Sequence, residues 1–263
     1  MTNNNGGITD LSHVEAVSDD EYARVVEQFE KEFHREVYNW IEQKLEHKSG
    51  IEILDFSIDR GIFSSIIGEK LKAKQIVAAI RKDDLAPTSN RIKVHNIGQL
   101  NLDNTDFNAK LQSITDRFDV IILREMLHEV EPSFGSFLQA LRSLLKDQDS
   151  SIFIITRPKN PPVPLPDNGM DKWRKTSPSR EVIIKSVGEA KCYTQECYAI
   201  SCPVKIAKAD WCKYLLCRCL PALQNNAKCS DRDIVEFVRE KPSPNFEFEE
   251  KILILVLSLK EDI

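Results

Sequence analysis

No stretch of the 263-residue chain stays apolar for the roughly 18 residues that a membrane-spanning helix needs. The opening MTNNNGGITD lacks the apolar core of a secretion signal. Positive charge is not in excess either: 36 Lys and Arg face 41 Asp and Glu, so nothing steers the whole molecule towards nucleic-acid phosphates or an anionic membrane. A local basic face is left open around Lys172, Arg174 and Lys175. Cysteine is missing before residue 192, after which come Cys192, Cys197, Cys202, Cys212, Cys217, Cys219 and Cys229. Their odd number leaves at least one unpaired in any disulfide scheme, so reduced thiols and a cytosolic, cytoplasmic protein are expected. They form no CxxC pair, and the nearest histidine in sequence is His128. Buried thiols acting as small apolar side chains are therefore expected ahead of a zinc site, and no metal is assigned.

A hydrophobic fraction of 41% suffices for a real core in one large α/β domain, or in a core with a small appendage. Residues 1–18 read as a disordered tail. Residues 19–49 read as a helical extension of one long or two successive amphipathic helices, with Tyr22, Val25, Val26, Phe29, Phe33, Val37, Trp40, Ile41 and Leu45 on one stripe. The extension either packs at the sheet edge or covers a ligand as a lid. The domain proper spans 50–263. It begins with IEILDFSIDRG at 51–61, an apolar run ending in Asp55, a polar turn to Gly61, and a segment of helical spacing behind it. Such a strand, turn and helix converge backbone N–H groups above the strand's carboxyl end.

Further strand candidates follow at 75–80, 91–97, 118–123 and 151–156. Continuous apolar strands alternating with helices indicate a mostly parallel sheet covered on both faces, with all strand carboxyl ends on one rim. Residues 157–178 hold Pro158, Pro161, Pro162, Pro164, Pro166 and Pro178 and read as a proline-rich loop with no regular element. A helix capped by Ser177 or Ser179 comes next. Strands at 198–204 and 251–259 then suggest an antiparallel pair closing the sheet. Between them lies a cap insertion, 205–245, with helices expected at 208–220 and 230–239.

ILDFSIDRG, FDVIILREMLHEV, LLKDQDSSIFIITRPK and PSREVIIKSVGEA together resemble the class I S-adenosylmethionine-dependent methyltransferases, over roughly 38–259. The resemblance implies a Rossmann-like, seven-stranded sheet, mostly parallel with an antiparallel last strand and helices on both faces. It implies S-adenosylmethionine as cofactor and a small-molecule or protein methyl acceptor, while the charge balance and the lack of a long apolar run indicate no nucleic acid or membrane partner. It carries cofactor contacts onto Asp55, Ser57, Asp59, Gly61, Arg81 and Asn96. The family's first turn reads acid-x-Gly-x-Gly-x-Gly, and only Gly61 of the three glycines is kept. Glycine there permits positive φ and lets backbone approach a ligand with no Cβ between them. Asp59 adds bulk and negative charge near the cofactor's methionyl carboxylate, although it suits the cofactor's ammonium. Arg81 replaces the usual ribose-accepting acid and, being donor-only, cannot accept from a hydroxyl. It would suit a phosphorylated ribose, which keeps a nicotinamide-phosphate oxidoreductase as a third reading.

Methyl transfer from a sulfonium rests mostly on positioning, sometimes with a base. The catalytic candidates are Arg124, Glu125 and His128, just beyond the fourth strand. His128 either acts as base or packs as a helix-face histidine. Trp173 either stacks on an acceptor or anchors its loop. Trp211, with Tyr214, Leu215 and Arg218, either caps an acceptor or packs in a core. The expected function is a methyltransferase; the alternative is a non-catalytic relative, a pseudoenzyme that binds or regulates.

Overall fold

The computed structural model describes residues 17–45, 48, 50–57, 59, 61–80, 92–96, 111–130 and 133–259, with the side chains of residues 57, 80 and 94–96 left aside. Two N-terminal helices, α1 (Asp19–Phe33) and α2 (Arg35–Leu45), meet at His34. Ser18 caps α1 through its side chain, and three acids fill the first turn, where the helix dipole favours them. The alternating part follows as β1 (Glu52–Ser57), α3 (Ile62–Leu71), β2 (Gln75–Ile80), β3 (Ile92–Asn96), β4 (Val120–Arg124), α4 (Leu127–Val130), α5 (Phe134–Arg142) and β5 (Ser151–Thr156). The C-terminal part is α6 (Asp167–Thr176), α7 (Arg180–Glu189), β6 (Tyr193–Ala207), α8 (Lys208–Leu216), α9 (Asp231–Glu240) and β7 (Asn245–Ser258).

The seven strands form one sheet in the order β3-β2-β1-β4-β5-β7-β6. β1 to β5 pair in parallel, and β7 runs antiparallel to both β5 and β6, as the sequence pattern implied. The central strands are continuously apolar because both faces are covered. Leu54, Phe56, Ile121, Leu123, Ile152 and Ile154 pack on one face with Phe134, Phe137, Leu141 and Val187. Ile53, Val120, Ile122, Phe153 and Ile155 pack on the other with Tyr38, Ile41, Phe63 and Ile67, so α2 and α3 lie there. No helix among the described residues is long and apolar enough to cross a membrane.

The rim at the carboxyl ends is built up by the last two strands. Thr156, the end of β5, pairs with Leu253, so the first half of β7 runs past the rim, still paired with β6 through Ala207↔Asn245. α8 and α9 sit on this projecting arm and enclose a third core with α1, in which Phe29, Trp211, Tyr214, Leu215, Ile234 and Phe246 are buried. α1 therefore lies over the rim while α2 lies on a face.

The expected structureless loop at 157–178 is corrected: α6 occupies Asp167–Thr176. The proline run ends at Pro166, which caps the helix from outside, the next proline is Pro178 beyond its end, and DNGMDKWRKT contains none. A proline before the first turn removes no helical hydrogen bond. The capped helix after it is α7, with Ser179 accepting from Val182 N. Both late strands are longer than their apolar runs indicated, β6 being a largely exposed edge strand. The tail up to residue 16 lies outside the described residues.

Candidate functional site

The turn leaving β1 and the end of β4 are neighbours, since Ser57 pairs with Arg124. Gly61 closes that turn in the left-handed region at φ 82° and opens α3, a conformation only glycine adopts without strain. Asp59 is the second acid of the turn and is 3% exposed. Its Oδ2 accepts from Phe63 N at 3.1 Å and from the Arg124 guanidinium at 2.5 Å. The carboxylate thereby occupies the positive end of α3, where a ligand's anion would otherwise sit. Its other oxygen, Oδ1, is buried with no hydrogen-bond partner among the described residues. Asp55, at 1% exposure, accepts from the Ser64 hydroxyl.

From this corner an ionic cluster runs along the rim. Arg124 also donates to Glu30 Oε1 of α1 at 2.5 Å. Glu30 Oε2 takes Tyr38 OH at 2.9 Å and His34 Nδ1 at 2.8 Å. His34 Nε2 reaches Glu250 Oε2 on β7 at 2.5 Å. Arg157, directly after β5, donates to Glu250 at 2.5 Å and to Glu125 at 2.7 Å. Both His34 nitrogens face carboxylates, which only accept, so the ring is the doubly protonated imidazolium. Burial alone would lower the His34 pKa, but Glu30 and Glu250 overcome it and raise it to about 9. Burial alone would raise Glu250, yet Arg157 and His34 lower it to about 2. Glu30 is likewise held well below its ordinary value by Arg124 and His34 against its own burial. At Asp59 burial wins: with Glu30 nearby it outweighs Arg124 and the backbone N–H groups of Phe63 and Gly61, and the pKa rises to about 6. Burial also raises Glu125, against the pull of Arg157 and Arg124.

His128 stands behind this cluster. Thr176 uses its one hydroxyl proton on Lys172 O at 3.0 Å, so His128 Nδ1 donates to Thr176 Oγ1, also at 3.0 Å. Nε2 is then a bare acceptor, buried with no hydrogen-bond partner among the described residues and 3.9 Å from Glu125 Oε2. Burial, with Arg157 and Lys172 nearby, lowers its pKa to about 4, which makes it neutral and weakly basic at pH 7. Its ring meets Trp173 edge-on at 4.4 Å between centroids.

The structure thus brings together Asp55, Asp59, Gly61, Arg124 and Glu125, with His128 close by. Trp173 and Trp211 are fully buried, Trp173 donating to Pro158 O at 3.2 Å and Trp211 lying in the third core, so neither offers a ring to an acceptor in this conformation. Arg81 and the side chains of Ser57 and Asn96 lie outside the described residues. Glu30, His34, Arg157 and Glu250 were not singled out by the sequence. The signal available was Glu30, His34 and Tyr38 at four-residue spacing, which puts a polar line on one face of an apolar helical stripe. All seven cysteines are free, six of them buried and Cys197 exposed. Among the described residues no group of three or more metal-ligating side chains occurs.

The cofactor implied by the resemblance can be tested against this chemistry. In the cluster, four carboxylates (Glu30, Asp59, Glu125, Glu250) face three cations (Arg124, Arg157 and His34). A buried excess of one negative charge is costly unless a proton or a cation neutralises it. S-adenosylmethionine carries an ammonium and a sulfonium, and the unpartnered Asp59 oxygen is an acceptor, so these residues fit the cofactor's cationic end. They do not offer its carboxylate the free helix N-terminus, which Asp59 already fills.

A family model described as a methyltransferase domain matches residues 27–182, more than half of the chain. Comparison with curated protein sequences finds no match. Among solved structures, a candidate methyltransferase from Bacillus halodurans C-125 superposes with a TM-score of 0.53 at 14% identity, covering 85% of this chain and 99% of that one. A candidate methyltransferase from an antibiotic biosynthesis pathway of Anabaena variabilis ATCC 29413 gives 0.56 at 11% identity, covering 84% and 96%. A geranyl diphosphate methyltransferase solved with GPP and sinefungin gives 0.51 at 10% identity, covering 93% and 86%. At these identities the structural likenesses speak for the fold alone, and the family rests on the domain match. The chain belongs to the methyltransferase-domain family of class I, S-adenosylmethionine-dependent methyltransferases.

Proposed function

We propose that this chain transfers a methyl group from S-adenosylmethionine to a small-molecule or protein acceptor in the cytosol. The observation that carries the reading is the corner where β1, the Gly61 turn and β4 meet, with the unpartnered Asp59 oxygen in a cluster one positive charge short. When bound, the cofactor supplies an electrophilic methyl group. The chain's own contribution is to hold the cationic end at Asp59, with Asp55 and Gly61 shaping the turn, and to exclude water by laying α1 and its Glu30 across the rim. Neutral His128 is placed to accept a hydrogen bond rather than to act as a strong base, and methylation of an already nucleophilic acceptor requires no strong base. The seven free thiols support the cytosolic placement.

The second reading, a non-catalytic relative that binds a partner, is favoured by one observation: His128, Trp173 and Trp211 are all closed off and offer an acceptor no surface. Thermal unfolding with S-adenosylmethionine and with S-adenosylhomocysteine, followed by incubation of labelled cofactor with fractionated extract, separates the readings. A ligand at a hundred times its dissociation constant adds about 2.7 kcal/mol. Stabilisation together with label in a small-molecule or protein fraction supports the enzyme. No stabilisation by either compound at millimolar concentration sinks it.

A further inference from the structure

We infer that Asp59, braced by Arg124 and Glu30, is a side-chain substitute for the lost glycine cradle, recognising the cofactor's cationic end by charge rather than by close backbone approach. The inference deepens the methyltransferase reading and rests on it. Three observations carry it. Asp59 is 3% exposed, and its Oδ1 has no hydrogen-bond partner among the described residues, which is costly in a protein interior unless a ligand completes it. Its Oδ2 is fixed by Phe63 N and Arg124, so the free oxygen is held in one orientation. The surrounding cluster carries one carboxylate more than its cations balance.

Arg124 from β4 and Glu30 from α1 face Asp59, with Tyr38 from α2 close to it, and through Glu30 the cluster continues to His34 at the end of α1, Glu250 from β7, Arg157 after β5 and Glu125 beyond β4. Of these, Glu30 and Glu250 stay ionised and His34 stays protonated around neutrality. Glu125 is raised by burial as well, but its two oxygens face Arg157 and the Thr156 hydroxyl, so Asp59 with its unpartnered oxygen is the member placed to take up the missing positive charge, as a proton in the free protein and as the cofactor's cation in the complex. Binding then displaces a proton, and affinity falls as the pH drops below about 6.

Isothermal titration of the full chain with S-adenosylmethionine and S-adenosylhomocysteine, at pH 5 to 8 and in two buffers of different ionisation enthalpy, tests this. The wild type is expected to bind the sulfonium compound more tightly than its uncharged thioether, and to release protons at pH 5 to 6 but not at pH 8. Asp59→Asn, which keeps an oxygen to cap α3, should weaken S-adenosylmethionine binding by about ten- to a hundredfold and abolish the proton release. Asp59→Gly restores the family's glycine and discriminates most sharply. Weaker binding in that variant supports the substitute cradle, whereas equal or tighter binding shows that Asp59 only obstructs the site and overturns the inference while leaving the methyltransferase reading intact. Failure of the wild type to bind either compound removes both.

Discussion

His34 ties the N-terminal helices to the far end of the sheet, and its charge can be removed by pH alone. Its Nδ1 lies 2.8 Å from Glu30 and its Nε2 2.5 Å from Glu250, and the ring is 2% exposed. Because its pKa rises from 6.5 to about 9 on folding, the native state holds the proton more tightly than the unfolded chain does. The stabilisation is therefore full below pH 6.5 and is lost as pH rises through 9. A shift of this size amounts to about 3 kcal/mol, of which about 2 kcal/mol disappears between pH 6.5 and 8.5. A chain of this length loses roughly 0.5 kcal/mol per degree near its midpoint, so Tm should fall by about 4 °C across that window. Buried thiols such as Cys202 and Cys212, raised to about 12 and 11, add their own loss only near and above pH 9. Differential scanning calorimetry of the wild type and His34→Gln at half-unit pH steps isolates the effect. The variant should begin less stable at pH 6.5 and stay flat to 8.5; the same downward slope in both proteins would refute the assignment of the charge to His34.

Two further outcomes concern Arg157 and the cysteines. Replacing Arg157 by Met strands the buried carboxylates of Glu125 and Glu250 and should cost about 3 to 5 kcal/mol, with Arg157→Lys recovering only part because ammonium cannot reproduce the two-sided guanidinium contact. An unchanged midpoint in urea would contradict it. In the folded protein Cys197 should react with a thiol reagent well ahead of the six buried cysteines, and several thiols reacting at one fast rate would show that the third core opens readily.

What was legible in the chain was what local chemistry decides. The parallel strands announced themselves as continuous apolar runs, and Asp55, Asp59, Gly61, Arg124, Glu125 and His128 could be placed on one rim because strand ends converge there whatever the side chains do. β7 was read as starting at residue 251, yet it begins at Asn245, and NFEFEE alternates as a strand should. The alternation is masked by Glu250, an acid facing inward that makes sense only beside Arg157, 93 positions earlier, and His34, 216 positions earlier. Glu30 and His34 looked like ordinary polar positions of a surface helix for the same reason. Proline density hid α6, because it measures where a helix cannot run and says nothing of the proline-free residues that follow.

Burying so many charges is a poor way to stabilise a fold, since apolar packing of similar volume is often as good or better. The cluster is better understood as two devices sharing Glu30. On one side His34, Glu250, Arg157 and Glu125 clamp α1 to β7 and β5; on the other, Arg124 and Asp59 shape the corner of the β1 turn. Glu30 spends one oxygen on Arg124 and the other on His34 and Tyr38, so the clamp also fixes the guanidinium that orients Asp59. Cofactor affinity should therefore depend on pH through two limbs of different origin. Below about 6 it falls because Asp59 takes a proton, and towards 9 it falls because His34 loses one and α1 slackens its hold on Arg124. Asp59→Asn should erase the lower limb alone and His34→Gln the upper limb alone. If either substitution flattens both limbs in isothermal titration, the two halves of the cluster are one unit, and the division at Glu30 is wrong.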